Sequence, residues 1–276
     1  MIAERKAYAK INLTLEVRDK REDGYHEIVS VMARATLFDK VSVGKNSVGK
    51  IRIRCTDSSI EDDDNLAVRA VKGYFEISGI SFHGVDITLE KHIPLSAGLG
   101  GGSADAAAVI ECMEELFEPL EKEKRHALAR GLGADVPYCL EKIPCICRGV
   151  GDECERIEAK EFDSLFLVIK KHAEKLSTGA VYSSFDALPK SAKEYDHKSV
   201  IKALEKGDIA LLTRSLFNDF ERVVFEKSPE VKALRNEMLE AGAISSLMSG
   251  AGPTVVGFFD NEEKARAYSK NVYKIV

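Results

Sequence analysis

The feature that most constrains this chain is a glycine-rich run, Pro94-Leu95-Ser96-Ala97-Gly98-Leu99-Gly100-Gly101-Gly102-Ser103-Ala104-Asp105. Ahead of it, Val85–Glu90 alternates apolar and polar residues with the period of a strand. Behind it, Ala106, Ala107, Val109, Ile110, Met113 and Leu116 recur at helical spacing, which predicts a helix from Ser103 to about Phe117. The run therefore carries the chain from a strand into a helix. Glycines have no Cβ, so their N–H groups can close on an anion, and a helix N-terminus adds its positive end. A phosphate suits such a turn. It is not a P-loop, because no Gly-Lys-Ser/Thr follows, and Gly98-x-Gly100-x-x-Ser103 lacks the third glycine of a dinucleotide fingerprint. A flexible connector is the alternative, but four glycines beside a helix start cost conformational entropy without serving one.

Around this run the chain alternates strands and helices. Ala7–Val17 reads as one strand, with Ile11, Leu13, Leu15 and Val17 on one side and Lys10, Asn12, Thr14 and Glu16 on the other. Val29–Phe38 and Ile51–Cys55 read as further strands. Leu66, Ala70, Val71, Tyr74 and Phe75 mark a helix over Asn65–Ile77, behind the acidic run Glu61–Asp64, a cap and loop. After a short helix over Glu121–Gly131, Gly133-Ala134-Asp135-Val136-Pro137 is bracketed as a loop. Ile143–Arg148 reads as a strand and Gly149–Asp152 as a turn. Leu165–Ile169 begins a second part, with helices expected at about 178–187, 198–205 and 207–217. Ser228-Pro229-Glu230 starts another helix, which Gly242 ends. Ile244–Leu247, a glycine turn, Thr254–Phe259 and a helix from Asn261 follow. At 276 residues the chain has room for two domains, and we expect residues 1–154 and 155–276 to form them.

Composition narrows the class. Forty basic against 45 acidic residues give a net charge of −5, which argues against a nucleic-acid partner. Residues 1–10 carry Glu4, Arg5, Lys6 and Lys10, not the apolar core of a signal peptide. The longest uncharged stretch, Ala241–Phe259, is broken by Gly and Pro and is no bilayer span. A cytoplasmic protein without a membrane partner is expected. The six cysteines are read as reduced thiols. Cys139, Cys145, Cys147 and Cys154 match no zinc spacing, so we expect packing, with Cys145 and Cys147 on one strand face.

Three further groups of residues could carry chemistry. A lysine on the polar side of a strand, like Lys10, is ordinarily solvated surface, and Asp135 is by itself a turn aspartate. Only if folding brings them together would they supply a general base for a hydroxyl and an ammonium that keeps it ionised and offsets developing charge. Ser249-Gly250-Ala251-Gly252-Pro253-Thr254 is either a tight hairpin or a backbone that approaches the first glycine run closely. Asp23-Gly24-Tyr25-His26-Glu27 offers an aromatic face and an imidazole, which could stack on and hydrogen-bond a nucleobase.

Taken in order, Ala9-Lys10-Ile11-Asn12-Leu13, Pro94–Asp105 and Ser249–Thr254 resemble the three motifs of the GHMP kinases, over nearly the whole chain. The resemblance implies an α+β fold of two domains, the N-terminal one ribosomal-S5-like and the C-terminal one ferredoxin-like. It implies ATP and Mg²⁺ as cofactors, Asp135 as general base and Lys10 as its partner. Residues Pro94 to Ala104 would wrap the ATP phosphates, with Ser103 beside the metal, and Asn65 and Lys91 would lie toward the adenosine. Arg21-x-Asp23-Gly24-Tyr25-His26-Glu27 and Leu132–Pro137 look most like the members that phosphorylate the 2-hydroxyl of a cytidyl-diphosphate-linked methylerythritol in non-mevalonate isoprenoid synthesis. Tyr25 and His26 would then hold the cytosine, Tyr182 would be a second ring, and Asn12 would face substrate. The partner implied is this small molecule, with no oligomeric state specified.

The chain departs from the family at Glu141-Lys142-Ile143-Pro144, where a Gly-Gly turn is frequent, at Asp152, where Glu is usual, and at Lys170-Lys171-His172, where a proline turn is common. Two other readings stand beside this one. Another GHMP small-molecule kinase, of mevalonate or homoserine type, has no evident use for Tyr25-His26. A catalytically silent nucleotide-binding protein has no need of both Lys10 and Asp135.

Overall fold

Alternating apolar residues run far along the first third of the chain. In the computed structural model, which describes residues 1–189 and 195–276, they form strands β1 (Ile2–Asn12), β2 (Thr14–Lys20) and β3 (His26–Asn46). The strand expected over Ala7–Val17 bends at Leu13, whose N–H donates to Val31 O at 2.8 Å. Its polar side is not on water: Lys10, Asn12 and Thr14 are 5%, 2% and 0% exposed. Buried polar groups must find partners, and theirs build the site described below.

The elements that follow are β4 (Ile51–Cys55), α1 (Leu66–Ser78), β5 (Gly84–Glu90), α2 (Gly101–Leu116), α3 (Lys122–Leu132) and α4 (Val136–Glu141). Next come β6 (Cys145–Arg148), β7 (Glu153–Arg156), β8 (Phe166–Lys171), α5 (Thr178–Asp186), α6 (His197–Lys206) and α7 (Ile209–Ser215). The last are β9 (Phe217–Asn218), α8 (Glu221–Lys227), α9 (Pro229–Glu240), β10 (Ser245–Met248), β11 (Thr254–Phe259) and α10 (Glu262–Tyr268). Among the described residues no helix is long and apolar enough to cross a membrane. The chain forms two compact units, one of residues 1–9, 37–95 and 100–142, the other of residues 10–36, 96–99 and 143–276.

In the first unit, β5 pairs antiparallel with the end of β3, from Lys40↔Glu90 to Asn46↔Gly84, and parallel with β4. Asn65 starts α1 by accepting the Ala67 N–H at 2.9 Å and donating to Ile60 O at 2.8 Å. Gly79, with φ of +75°, ends the helix in the left-handed conformation that glycine adopts without strain. Ala67, Ala70, Val71 and Tyr74 bury its inner face against the alanine-rich side of α2, where Ala106, Ala107, Val109 and Ile110 are buried. Alanine favours the helix and its small side chain lets the two axes approach. The loop expected at Gly133–Pro137 ends sooner than the sequence suggests. Pro137 occupies the first turn of α4, where its missing N–H costs nothing.

In the second unit, β2 pairs with β3 and, in parallel, with β9. β3 pairs with β6, and β6 with β7. A separate antiparallel sheet of order β10-β11-β8 packs its apolar side on α8, α9 and α10, burying Val168, Val224, Val231, Met238, Val255, Phe259 and Ala265. Sequence periodicity misses β7, whose Glu153, Glu155 and Arg156 are exposed, and α8, which has no side-chain cap.

Candidate active site

The glycine run does what its composition requires. Ser96, Gly98 and Gly100 take φ of +50°, +75° and +66°, alternating with residues of negative φ, which turns successive N–H groups to a common side. Gly100 is the N-cap of α2 and offers no side chain, so the first-turn N–H groups of Gly101, Gly102 and Ser103 are left without a side-chain acceptor. The helix starts two residues before the expected Ser103, because Gly101 and Gly102 wind into its first turn. Ser103 is partly exposed on that turn.

Pieces of all three motifs converge in the second unit. Lys10 N–H donates to Leu99 O at 2.9 Å. Ser249 Oγ donates to Gly98 O at 3.1 Å and accepts the Asn12 N–H at 3.4 Å. A Cβ on Gly98 would lie 2.5 Å from Ser249 O and 2.9 Å from Gly252 O, distances no side chain tolerates. Of the two readings of the second glycine cluster, the close approach is present, and it leaves no room for a side chain on Gly98. Asn218, a residue the sequence did not single out, fixes the second cluster by donating to Met248 O and Gly250 O at 2.7 and 2.8 Å. On the strand, Lys10 Nζ donates to Asn12 Oδ1 at 2.8 Å.

Lys91 and Asn65, expected toward the adenosine, lie in the first unit. Asn65 is engaged as the α1 cap. Lys91 is buried and pairs with two buried carboxylates, Asp39 and, at 2.5 Å, Asp105. Burial disfavours its ammonium, but the charges of Asp105 and Asp39 outweigh that and hold its pKa above the usual lysine value. Burial, with the Asp39 charge added, pushes Asp105 up to about 7 against the pull of Lys91. Asp39 Oδ1 also accepts the N–H groups of His92 and Ile93, at 2.5 and 2.7 Å, directly ahead of Pro94. The triad thus ties the residues leading into the glycine run to the helix leading out of it. Asp39 carries no distinctive sequence signal: it stands between Phe38 and Lys40 in β3, a strand that holds other charged residues. Asp135, also in the first unit, occupies the N-cap position of α4 half-buried, and its carboxylate caps no N–H of that helix.

Tyr25 stands 66% exposed, on a turn fixed by Asp23 Oδ1 accepting the Tyr25 N–H at 3.0 Å. His26 is buried, with Nε2 2.6 Å from Asp186 Oδ1. Tyr182 stacks on its face, centroids 4.8 Å apart and planes at 20°, and meets Phe220 edge-on. Tyr182 is thus a ring against His26, an arrangement the sequence does not reveal.

Residues 65–142 match the N-terminal domain of the GHMP kinases and residues 200–274 their C-terminal domain. The chain is 37% identical to a 4-diphosphocytidyl-2-C-methyl-D-erythritol kinase of Clostridium novyi, over 98% of this chain and 97% of that one. It is 38% identical to one of Thermoanaerobacter pseudethanolicus, over 98% and 93%. The chain belongs to this family of GHMP kinases. A crystal structure of 4-(cytidine 5'-diphospho)-2C-methyl-D-erythritol kinase superposes with a TM-score of 0.83 at 31% identity, covering 99% of this chain and 98% of that one. Homoserine kinase of Cytophaga hutchinsonii, at 19% identity and a TM-score of 0.76 over 100% of this chain and 94% of that one, shares the fold. The fold is that of the GHMP kinases, with their N- and C-terminal domains, and ATP is the phosphoryl donor in a kinase of this kind.

Proposed function

We propose that this kinase transfers the γ-phosphoryl group of ATP to the 2-hydroxyl of 4-diphosphocytidyl-2-C-methyl-D-erythritol, giving the 2-phosphate and ADP. The observation that carries the reading is the joining of all three family motifs around Asn12, Gly98 and Ser249, in a chain whose relatives are named for this substrate over almost their whole length. Residues 1–154 would hold ATP and the catalytic groups, and residues 155–276 the C-terminal domain.

Phosphoryl transfer asks a protein mainly for positioning and charge neutralisation. The N–H groups of residues Pro94 to Ala104 would cradle the phosphates, helped by the uncapped start of α2. Asp135 would take the proton of the 2-hydroxyl as the oxygen attacks the γ-phosphorus, and the Lys10 ammonium would offset the charge gathering on the transferring group. Asn12 would stand beside the substrate with Lys10, its Oδ1 accepting from the Lys10 ammonium and its Nδ2 donating to Ser30 Oγ. Asn65 and Lys91 would border the adenosine side.

Magnesium binds through one or two protein oxygens plus substrate phosphates and keeps several waters. The Ser103 hydroxyl on the first turn of α2 fits that need, and the metal would neutralise phosphate charge there. Cytosine fits the imidazole: with Nε2–H donated to Asp186, a neutral His26 keeps Nδ1 as an acceptor. An acceptor suits the exocyclic amine of cytosine and not the O4 of a uracil-type base. Tyr25 supplies an open ring face and Tyr182 backs the imidazole. Asp135→Asn tests the assignment of the base: phosphorylation should fall at least ~100-fold with ATP affinity within about threefold of wild type. Wild-type turnover in that variant would remove Asp135 from the mechanism.

A further inference from the structure

We propose that Ser30 is a positioning residue for Lys10, acting through Asn12; the inference rests on Lys10 being the catalytic cation. Lys10 Nζ donates to Asn12 Oδ1 at 2.8 Å, Asn12 Nδ2 donates to Ser30 Oγ at 2.8 Å, and Ser30 Oγ donates to Thr14 O at 2.6 Å. Asn12 is 2% exposed and Ser30 and Thr14 are fully buried, so water cannot substitute in this chain of bonds.

The direction of every bond is fixed from both ends. An ammonium has only donors, so the Asn12 atom facing it must be the carbonyl oxygen, and the amide nitrogen must face Ser30. At the other end a peptide carbonyl only accepts, so the Ser30 proton must go to Thr14 O and its lone pair to Asn12. Ser30 has to donate and accept through the same atom. Its far anchor is itself held. Thr14 Oγ1 accepts the Val31 N–H at 2.8 Å and lies 2.9 Å from His197 Nδ1, whose Nε2 is 2.8 Å from Glu16 Oε2. With Nε2–H directed at the carboxylate, Nδ1 is left to accept the Thr14 hydroxyl.

A lysine side chain carries roughly 2 kcal/mol of rotamer entropy, and a bond to a fixed amide oxygen narrows the positions open to its ammonium. Without the Ser30 hydroxyl, Asn12 Nδ2 and Thr14 O both lose that partner. The Asn12 amide can then rotate, and turned over it presents N–H groups to the ammonium. An ångström of misplacement at a reacting group can cost on the order of a hundredfold in rate.

The test is a double-mutant cycle on the full-length protein, read by single-turnover phosphorylation, steady-state KM and thermal unfolding. Ser30→Ala should lower kcat ~10–100-fold with both KM values within about threefold. Ser30→Cys, nearly isosteric but a poor acceptor, should fall between. In a Lys10→Ala background the same Ser30→Ala change should alter the single-turnover rate less than about twofold, because the group it positions is gone. An equal loss in both backgrounds, or a rise in KM without a fall in kcat, would overturn the role of Ser30. If Lys10→Ala alone keeps the wild-type rate, the assignment of Lys10 fails, and that result is distinct from additivity in the cycle.

Discussion

Asp39 gives the sharpest energetic expectation. Its carboxylate is fully buried; Oδ1 accepts the N–H groups of His92 and Ile93 and Oδ2 pairs with Lys91. Replacing it with alanine removes one partner of a buried ionic network, a change worth about 3–5 kcal/mol. It also leaves two backbone donors without acceptors, at roughly 1–3 kcal/mol each. The two costs overlap, since all three bonds end on one group, so the expected loss is about 3–6 kcal/mol. Against a total stability of about 5–15 kcal/mol, that is a large share. Asp39→Asn can still accept from His92 and Ile93 but faces Lys91 with a neutral amide, and should lose about half as much. Urea unfolding of the three proteins measures the differences, and ATP titration reports on the run that residues 92 and 93 lead into. An alanine variant within ~1 kcal/mol of wild type, or an asparagine variant equal to it, would show that the Asp39 charge does not hold this network.

Gly98→Ala should weaken ATP binding roughly tenfold and cost about 2 kcal/mol or more, since a left-handed φ alone costs ~1–2 kcal/mol and the new Cβ would meet Ser249 O at 2.5 Å. Gly102→Ala, whose Cβ would meet only Leu66 Cδ1 at 3.7 Å, should unfold within ~0.5 kcal/mol of wild type; calorimetric ATP titration and thermal unfolding separate the two. Asp105 sets a pH dependence. Its pKa rises from 3.8 to about 7 on folding, so the native state holds the proton more tightly. The stability this group contributes is full below the unfolded value and is lost as pH climbs through about 7. Asp105→Asn should remove that fall, so denaturant titrations at pH 5 and 7.5 should converge for the variant and not for wild type; parallel behaviour would contradict it.

What was legible in the sequence divides along physical lines. Periodicity located β4 and β5 within a residue, and the strand-to-helix placement of the glycine run followed from Cβ-free residues beside an alanine-rich stretch. The close approach of the two glycine clusters was one of two readings of the second cluster, because glycine serves a tight hairpin as well as such a contact. The buried fate of Lys10, Asn12 and Thr14 was not legible. Alternation marks two sides of a strand but does not tell which polar side faces water, and that depends on partners such as Ser30 and His197, the latter 183 residues from Thr14. Asp39 and Asp105 escaped for the same reason: a carboxylate's burial is decided by a lysine 52 or 14 residues away. Lys10 and Asp135 were recognised as a pair by family pattern, and neither carries a local signal of its own.

The proposed kinase should choose one alcohol among many. Purified protein with ATP and Mg²⁺ should be offered 4-diphosphocytidyl-2-C-methyl-D-erythritol, its uridyl analogue, mevalonate and homoserine, with the phosphorylated product followed by phosphorus NMR. We expect a new 2-phosphate on the cytidyl compound and at least ~100-fold lower kcat/KM for each of the others. Equal or faster phosphorylation of mevalonate or homoserine, or no phosphorylated product from any of them, would rule out the cytidyl compound as the kinase's substrate.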